Sequence, residues 1–102
     1  MKRLTRAAQA LSDETRLRIL YLFTSRECCV CEVMQALEIS QTRASRNLKI
    51  LDDAGFLKMR ADGLYTFYSL NPSANHGCFP ALIDAVKRKC SLIGRPRKML
   101  SV

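Results

Sequence analysis

Apolar residues in the first quarter of the chain recur at helical spacing. The segment after Ser12 predicts a helix ending at about Ser25, because a hydroxyl cap and then Asp13 and Glu14 open it, and the helix dipole favours acidic residues in the first turn. Its apolar residues cover more than one stripe of the helix surface, which predicts a central helix buried on several sides. They are Leu17, Ile19, Leu20, Leu22 and Phe23.

Two further apolar patterns each predict another helix. The first has the spacing i, i+3, i+4, i+7 of one helix face and predicts about two turns. Its members are Val30, Val33, Met34 and Leu37. After a short connection Ser40 can cap the second helix, in which Ala44, Leu48 and Leu51 form the inward stripe. Two helices joined by so short a connection are typical of a helix-turn-helix.

The pattern then changes from helical spacing to strands. Leu57–Ala61 and Leu64–Leu70 are strand-like runs separated by Asp62 and Gly63, a pair favoured in tight hairpin turns. This predicts a β-hairpin, or wing, directly after the helix-turn-helix. Lys58 and Arg60 recur at period two and are therefore predicted to share one face of the wing.

A last helix is predicted near the end of the chain, with Pro80 suited to its first turn. It has a long apolar stripe, which in so small a domain predicts the interface of a homodimer. The predicted interface residues are Phe79, Leu82, Ile83, Val86 and Cys90.

These elements predict a mainly α fold with a small β-hairpin (α+β), a winged helix-turn-helix. A chain of 102 residues is one domain, which we place at 1–94, followed by a basic, flexible tail at 95–102. No apolar run approaches the roughly 18 residues of a membrane span, so no membrane association is expected. Five cysteines, an odd number, and no leader-like apolar stretch predict a reducing cytoplasm.

The net charge of the chain predicts what kind of partner this fold binds. Seventeen Lys and Arg against nine Asp and Glu give a net charge of +8, which favours nucleic acid ahead of a membrane surface. The polar face of the second helix carries the residue types that grip bases and phosphates, so double-stranded DNA is predicted as the partner. The predicted contacts are Ser40, Gln41, Thr42, Arg43, Ser45, Arg46, Asn47 and Lys49 on the helix, with Lys58 and Arg60 on the wing.

Three of the five cysteines, Cys28, Cys29 and Cys31, stand just upstream of the predicted DNA-reading helix. Thiolates bind soft ions and metalloids, so all three are predicted as ligands. On a regular helix Cys28 and Cys31 share a face, and a helix N-terminus lowers a thiol pKa, which favours the binding form. Cys78 or Cys90 is the alternative source of a third sulfur.

Three segments together resemble the ArsR/SmtB family of winged-helix repressors: Leu11–Leu20, Glu27–Val33 and Ser40–Gly55. The resemblance extends from Leu11 to Leu70. It implies a homodimer that represses its operon and leaves the operator when an inducer binds. Relatives with a Cys-Val-Cys motif at the start of the short helix commonly respond to arsenite or antimonite. The resemblance therefore implies As(III) or Sb(III) as the inducer, with no organic cofactor.

The chain departs from the family pattern at two positions. The arsenite-sensing motif has a further cysteine where this chain has Met34, whose thioether binds trivalent arsenic poorly. The family's recognition helix commonly carries a histidine where this chain has Asn47, which changes the expected operator sequence more than DNA binding itself.

Three alternatives stay open beside the metalloid-responsive repressor. One is the same fold switched by a disulfide or persulfide, and another is a sensor of a different soft metal such as Cd, Pb or Zn. A third is a thiol oxidoreductase, since Cys28 and Cys31 form a Cys-x-x-Cys pair, but that motif belongs in a βαβ context that this chain lacks. We therefore expect no enzyme. The lone His76 also argues against a histidine-rich zinc site.

Overall fold

The computed structural model of the chain describes residues 2–72 and the backbone of 77–93, with side chains up to residue 89. Within these ranges five helices and three short strands follow one another. They are α1 (Lys2–Ala10), α2 (Glu14–Phe23), β1 (Cys28–Cys29), α3 (Val30–Leu37), α4 (Gln41–Asp53), β2 (Leu57–Asp62), β3 (Tyr65–Leu70) and α5 (Phe79–Ile93). The predicted tail at 95–102, the boundary at residue 94 and His76 lie outside the described residues.

The helix α2 is the central element that its apolar pattern predicted. Its last five residues, from Ile19 to Phe23, are all buried. Its cap is Asp13 rather than Ser12, because the Asp13 carboxylate accepts the backbone N–H of Arg16 at 3.1 Å. The hydroxyl of Ser12 instead donates to the carbonyl of Gln9 at 2.7 Å, at the end of α1. The core is therefore built around α2.

The helix-turn-helix consists of α3 and α4, as predicted. The chain leaves α3 through Glu38, a non-glycine residue in the left-handed region with φ 56°. Ser40 caps α4 by accepting the backbone N–H of Arg43 at 3.2 Å. On the inner face of α4, Ala44, Leu48 and Leu51 are all fully buried. The predicted inward stripe therefore determines which face of α4 is exposed to solvent.

The wing is a hairpin of β2 and β3 whose turn lies one residue later than predicted. Asp62 pairs with Tyr65, so the two-residue turn is Gly63–Leu64 rather than Asp62–Gly63. Gly63 has φ 62°, and a tight hairpin turn with glycine at its first central position explains the shift. Leu64 is fully exposed at the tip of the hairpin.

Two elements were missing from the prediction. Helix α1 buries Ala7 and Ala10 against the core. Strand β1 is only two residues long and pairs antiparallel with β3, Cys28 with Tyr68 and Cys29 with Phe67, which gives a sheet of order β1-β3-β2. The cysteine segment therefore belongs to the sheet of the wing.

Helix α5 packs against α2, and two of the five predicted dimer-interface residues are buried within the protomer. Phe79 and Val86 are each only 4% exposed within the single chain. The Phe79 ring meets Phe56 edge-on, with centroids 4.9 Å apart, so both belong to the core of the protomer. Leu82 and Ile83 are half-buried against the same core. The side chain of Cys90 lies outside the described residues.

In so small a domain, part of the apolar stripe of α5 is buried in the core of the protomer itself. Gly55 has φ +100°, and a Cβ there would lie 3.0 Å from the Phe79 ring, so this close contact between α5 and the end of α4 needs glycine.

In the described ranges, no helix combines the length and apolar character that crossing a membrane would need.

Candidate nucleic-acid interface and thiol site

The outer face of α4 is a row of exposed polar side chains. Opposite the buried stripe, Gln41, Thr42, Ser45 and Arg46 are all exposed. Arg46 forms no ion pair with any described residue, whereas Lys49 lies 3.8 Å from the Asp53 carboxylate. The helix therefore presents hydrogen-bond donors and acceptors of the types that contact base edges and phosphates.

Asn47 was predicted as a DNA contact, and the structure corrects this. Its side chain is only 6% exposed. The amide oxygen accepts from the guanidinium of Arg16 at 2.9 Å, and the amide nitrogen donates to the carbonyl of Arg43 at 2.9 Å. Because Asn47 follows Arg46 by about 100° around the helix, it turns toward the buried side. Its role is to join α4 to α2.

The two cations of the wing differ in their surroundings. Lys58 and Arg60 are both exposed on β2, as predicted, but the Arg60 guanidinium grips both carboxylate oxygens of Glu27, at 2.8 and 3.3 Å. It also lies 3.6 Å from Asp62 and 5.0 Å from the centroid of the Phe67 ring. The hydrogen bond and charge of Glu27 raise the pKa of Arg60. Lys58 has no acidic partner among the described residues, so its charge is the freer of the two.

The three clustered cysteines lie in different environments. Cys28 is fully buried, Cys29 is half-buried and Cys31 is exposed. Cys28 lies in β1 and Cys29 has an extended backbone with φ −88° and ψ 168°, so the helix begins only at Val30. The prediction that Cys28 and Cys31 share a helix face is therefore wrong, because the segment changes from strand to helix between them.

Burial also changes the chemistry of Cys28. It raises the pKa of the Cys28 thiol to about 11, against a smaller lowering by the charge of Arg26. A lowered pKa from the helix N-terminus was expected, and for Cys28 the opposite holds. Cys29 is held through its backbone, since its N–H donates to the Glu32 carboxylate at 2.9 Å. Near neutral pH Cys28 is therefore a protonated core thiol.

Cys29 and Cys31 open into a cleft between the start of α3, the start of α4 and the wing, with a volume of about 470 Å³. The cleft is lined by Cys29, Val30, Cys31, Met34, Gln41, Ser45, Met59, Leu64, Tyr65, Thr66 and Tyr68. Neither Cys28 nor Cys78 lines it. In the part of the chain that the structure describes, no three His, Cys, Asp or Glu side chains are grouped to hold a metal ion. Two thiols thus lie in one cleft with Gln41 and Ser45 of α4, and no third described cysteine lines it.

Comparison with known proteins identifies the family of the chain. Residues 13–58 match the family described as "Bacterial regulatory protein, arsR family". The arsenical resistance operon repressor of Bacillus subtilis is 33% identical over 82 residues, which cover 79% of this chain and 78% of the repressor. The chain belongs to the ArsR family.

Two further similarities extend the family assignment. The arsenic resistance transcriptional regulator ArsR1 of Pseudomonas putida is 39% identical over 79 residues, which cover 76% of this chain but only 58% of ArsR1. A homodimeric winged helix-turn-helix DNA-binding domain from Mycobacterium bovis, a possible ArsR-family regulator, superposes with a TM-score of 0.73 at 27% identity, over 84% of this chain and 76% of that domain. This ArsR-family member is thus a winged-helix transcriptional regulator, not an enzyme.

Proposed function

We propose that this ArsR-family protein is a homodimeric repressor that binds operator DNA and leaves it when As(III) or Sb(III) binds its cysteine segment. The observation that carries the proposal is the cleft in which Cys29 and Cys31 face Gln41 and Ser45 of α4. A ligand held by these two thiols lies against the same helix that reads DNA. The similarity to arsenical resistance repressors supports the choice of ligand.

The DNA-binding half of the proposal rests on exposure. The outer face of α4 enters the major groove, where Gln41, Ser45 and Arg46 reach base edges. Lys58 on the wing meets a phosphate. Each protomer supplies one such face, so a two-fold dimer reads a pseudo-palindromic site. Because Phe79 and Val86 are core residues, we place the dimer contact on the outward faces of α1 and α5, where Leu4 is 45% exposed.

The inducer half rests on the cysteine chemistry. Trivalent arsenic and antimony are soft and favour thiolates, which Cys29 and Cys31 can supply. A third thiolate within the segment comes from Cys28, whose side chain lies in the core. Bringing Cys28 into the cleft requires β1 to separate from Tyr68 and Phe67 of β3. Ligation by all three cysteines therefore loosens the wing, which supports release from DNA.

The test is fluorescence anisotropy of a labelled duplex, selected from random sequences by the purified protein. Addition of arsenite is expected to release the wild type, with one arsenic per protomer by native mass spectrometry. Cys29→Ser and Cys31→Ser are expected to bind the duplex and stay bound in arsenite. Cys78→Ser, which keeps the cleft intact, is the matched control and is expected to respond.

Two results would contradict the proposal. Failure to select any duplex would rule out the DNA-binding part of the proposal. Normal release of DNA from Cys31→Ser on addition of arsenite would rule out the thiol site. Release by mild peroxide without arsenite, with two free thiols lost per release, would favour the redox-switched repressor instead. Release by cadmium but not by arsenite or antimonite would favour a sensor of another soft metal.

A further inference from the structure

Three guanidinium groups from two helices converge on a second cleft, at the N-terminus of α4. The cleft has a volume of about 400 Å³ and is lined by Asp13, Arg16, Ser40, Thr42, Arg43, Arg46 and Asn47. We propose that it binds one phosphodiester group of the DNA backbone, with Arg16 of α2 and Arg43 of α4 as its ligands. The proposal rests on the proposed function in taking DNA as the source of the phosphate.

The charge of the cleft is uncompensated. Arg16, Arg43 and Arg46 form no ion pair with any described residue, whereas five other described basic residues do. These five are Arg18, Arg26, Lys49, Arg60 and Arg88. Asp13 is the single carboxylate among the lining residues, and it already accepts the backbone N–H of Arg16. Three guanidinium groups against one carboxylate leave a positive site suited to an oxyanion.

Two of the three guanidinium groups, those of Arg16 and Arg43, are held in place by neutral acceptors. Arg16 donates through Nε to the carbonyl of Ala10 at 2.6 Å and through one terminal nitrogen to Asn47 at 2.9 Å. Arg43 donates to the hydroxyl of Thr15 at 2.9 Å. Since a guanidinium has five N–H donors, both side chains keep donors for a ligand while their charge stays whole. The cleft is therefore preorganised for an anion.

The position of the cleft favours a backbone phosphate over a base. Arg16 is half-buried and belongs to α2, behind the outer face of α4 that carries Gln41 and Ser45. The first turn of a thirteen-residue helix adds its dipole and the hydroxyls of Ser40 and Thr42. A phosphate seated here sets how deeply α4 enters the groove, since phosphate contacts position the protein on the duplex.

The test replaces single phosphates of the bound duplex with neutral methylphosphonates and compares wild type with Arg43→Gln. At one phosphate in each half-site, neutralisation is expected to weaken the binding of wild type by about tenfold. The same neutralisation should weaken the binding of Arg43→Gln by less than about twofold. Arg43→Gln is also expected to lower the salt slope of binding by about one. Arg16→Lys, checked for folding by its melting temperature, should lose sensitivity at the same phosphate. Lys58→Gln is the control and should lose sensitivity at a different phosphate.

The outcomes separate this proposal from the function on which it rests. If the duplex binds normally but each methylphosphonate weakens binding by Arg43→Gln as much as binding by wild type, the phosphate site is overturned. The proposed repressor function would then still stand. If no duplex binds, both fail. In a second arm, inorganic phosphate is titrated into the protein and the amide resonances of Thr42 and Arg43 are followed. Specific shifts there, without any phosphate position lost in Arg43→Gln, would assign the cleft to a free oxyanion and overturn DNA as its source.

Discussion

Helix α4 and the cysteine segment 28–31 border the same cleft but are held in different ways. Helix α4 is thirteen residues long, is capped by Ser40 and is locked to the core by three fully buried residues. The cysteine segment joins a two-residue strand to the start of α3. One region is a rigid platform, and the other changes backbone type within four residues.

In the proposed repressor, this difference assigns different roles to the two regions. Surface ion pairs flank the cysteine segment, Arg26 with Glu32 at 3.3 Å and Arg60 with Glu27 at 2.8 Å, but surface pairs contribute little to stability. Besides these pairs, the segment is held by the buried Cys28 side chain and by the short pairing of β1 with β3. Its backbone also supplies an edge of the wing sheet. Ligand binding at the cysteines is therefore expected to move the wing relative to α4 while α4 itself stays fixed.

The largest expected effect concerns the platform. Leu48→Ala removes a fully buried side chain from the inner face of α4, and the cavity should lower the free energy of unfolding by about 2–5 kcal/mol. Ser45→Ala, on the outer face of the same helix, should change it by less than about 0.5 kcal/mol. Urea denaturation followed by circular dichroism measures both. Equal effects of the two variants would mean that α4 is not fixed by its inner face.

The next prediction uses pH to test the burial of Cys28. The folded protein keeps this thiol protonated up to about 11, whereas its ordinary pKa is 9.0, so the unfolded chain releases the proton first. Stability from this group is thus complete below pH 9 and is lost as the pH rises to about 11. Over that range the wild type should lose about 2–3 kcal/mol more than Cys28→Ala. Parallel pH profiles of the two proteins would show that Cys28 is accessible.

The difference between α4 and the cysteine segment also explains which parts of the fold could be predicted from the sequence. Helices α2, α3 and α4, the hairpin and the inner stripe of α4 follow from local periodicity, which the folded backbone keeps. The strand β1 exists only because β3 pairs with it from about forty residues away, a contact that no periodicity records. A helical argument applied across its boundary therefore placed Cys28 on the wrong face.

Predicted site residues divide in the same way. Gln41, Thr42, Ser45 and Arg46 are exposed where the helical pattern put them. Asn47 turns toward the buried side of α4 and accepts a hydrogen bond from Arg16 of α2, and a lone polar residue at the edge of a stripe gives no sign of such a partner. The engagement of Arg60 by Glu27 is equally long-range. Glu27, the acidic residue directly before Cys28, was the available sign in the sequence of this long-range partner for Arg60.

A smaller effect is expected at the exposed face of the platform. Arg46→Ala should weaken binding to the selected duplex by about 1–3 kcal/mol, because Arg46 has no partner within the described chain and its charge is available to DNA. Lys49→Ala should cost less, since the Lys49 amine already lies 3.8 Å from Asp53. Anisotropy titrations at moderate salt measure both. Normal binding by Arg46→Ala would mean that another face of the protein meets the DNA.

The smallest effect distinguishes two cations that share a strand. Lys58→Ala should lower the slope of log affinity against log salt by about one, because a free Lys58 displaces one counterion on meeting a phosphate. Arg60→Ala should leave that slope nearly unchanged, since the guanidinium is already paired with Glu27 and Asp62. Instead it should lower the arsenite concentration needed for release, because the wing loses its tie to the cysteine segment. Equal slope losses in the two variants would show that Arg60 leaves Glu27 for the DNA, and the wing would then be held to the cysteines by β1 alone.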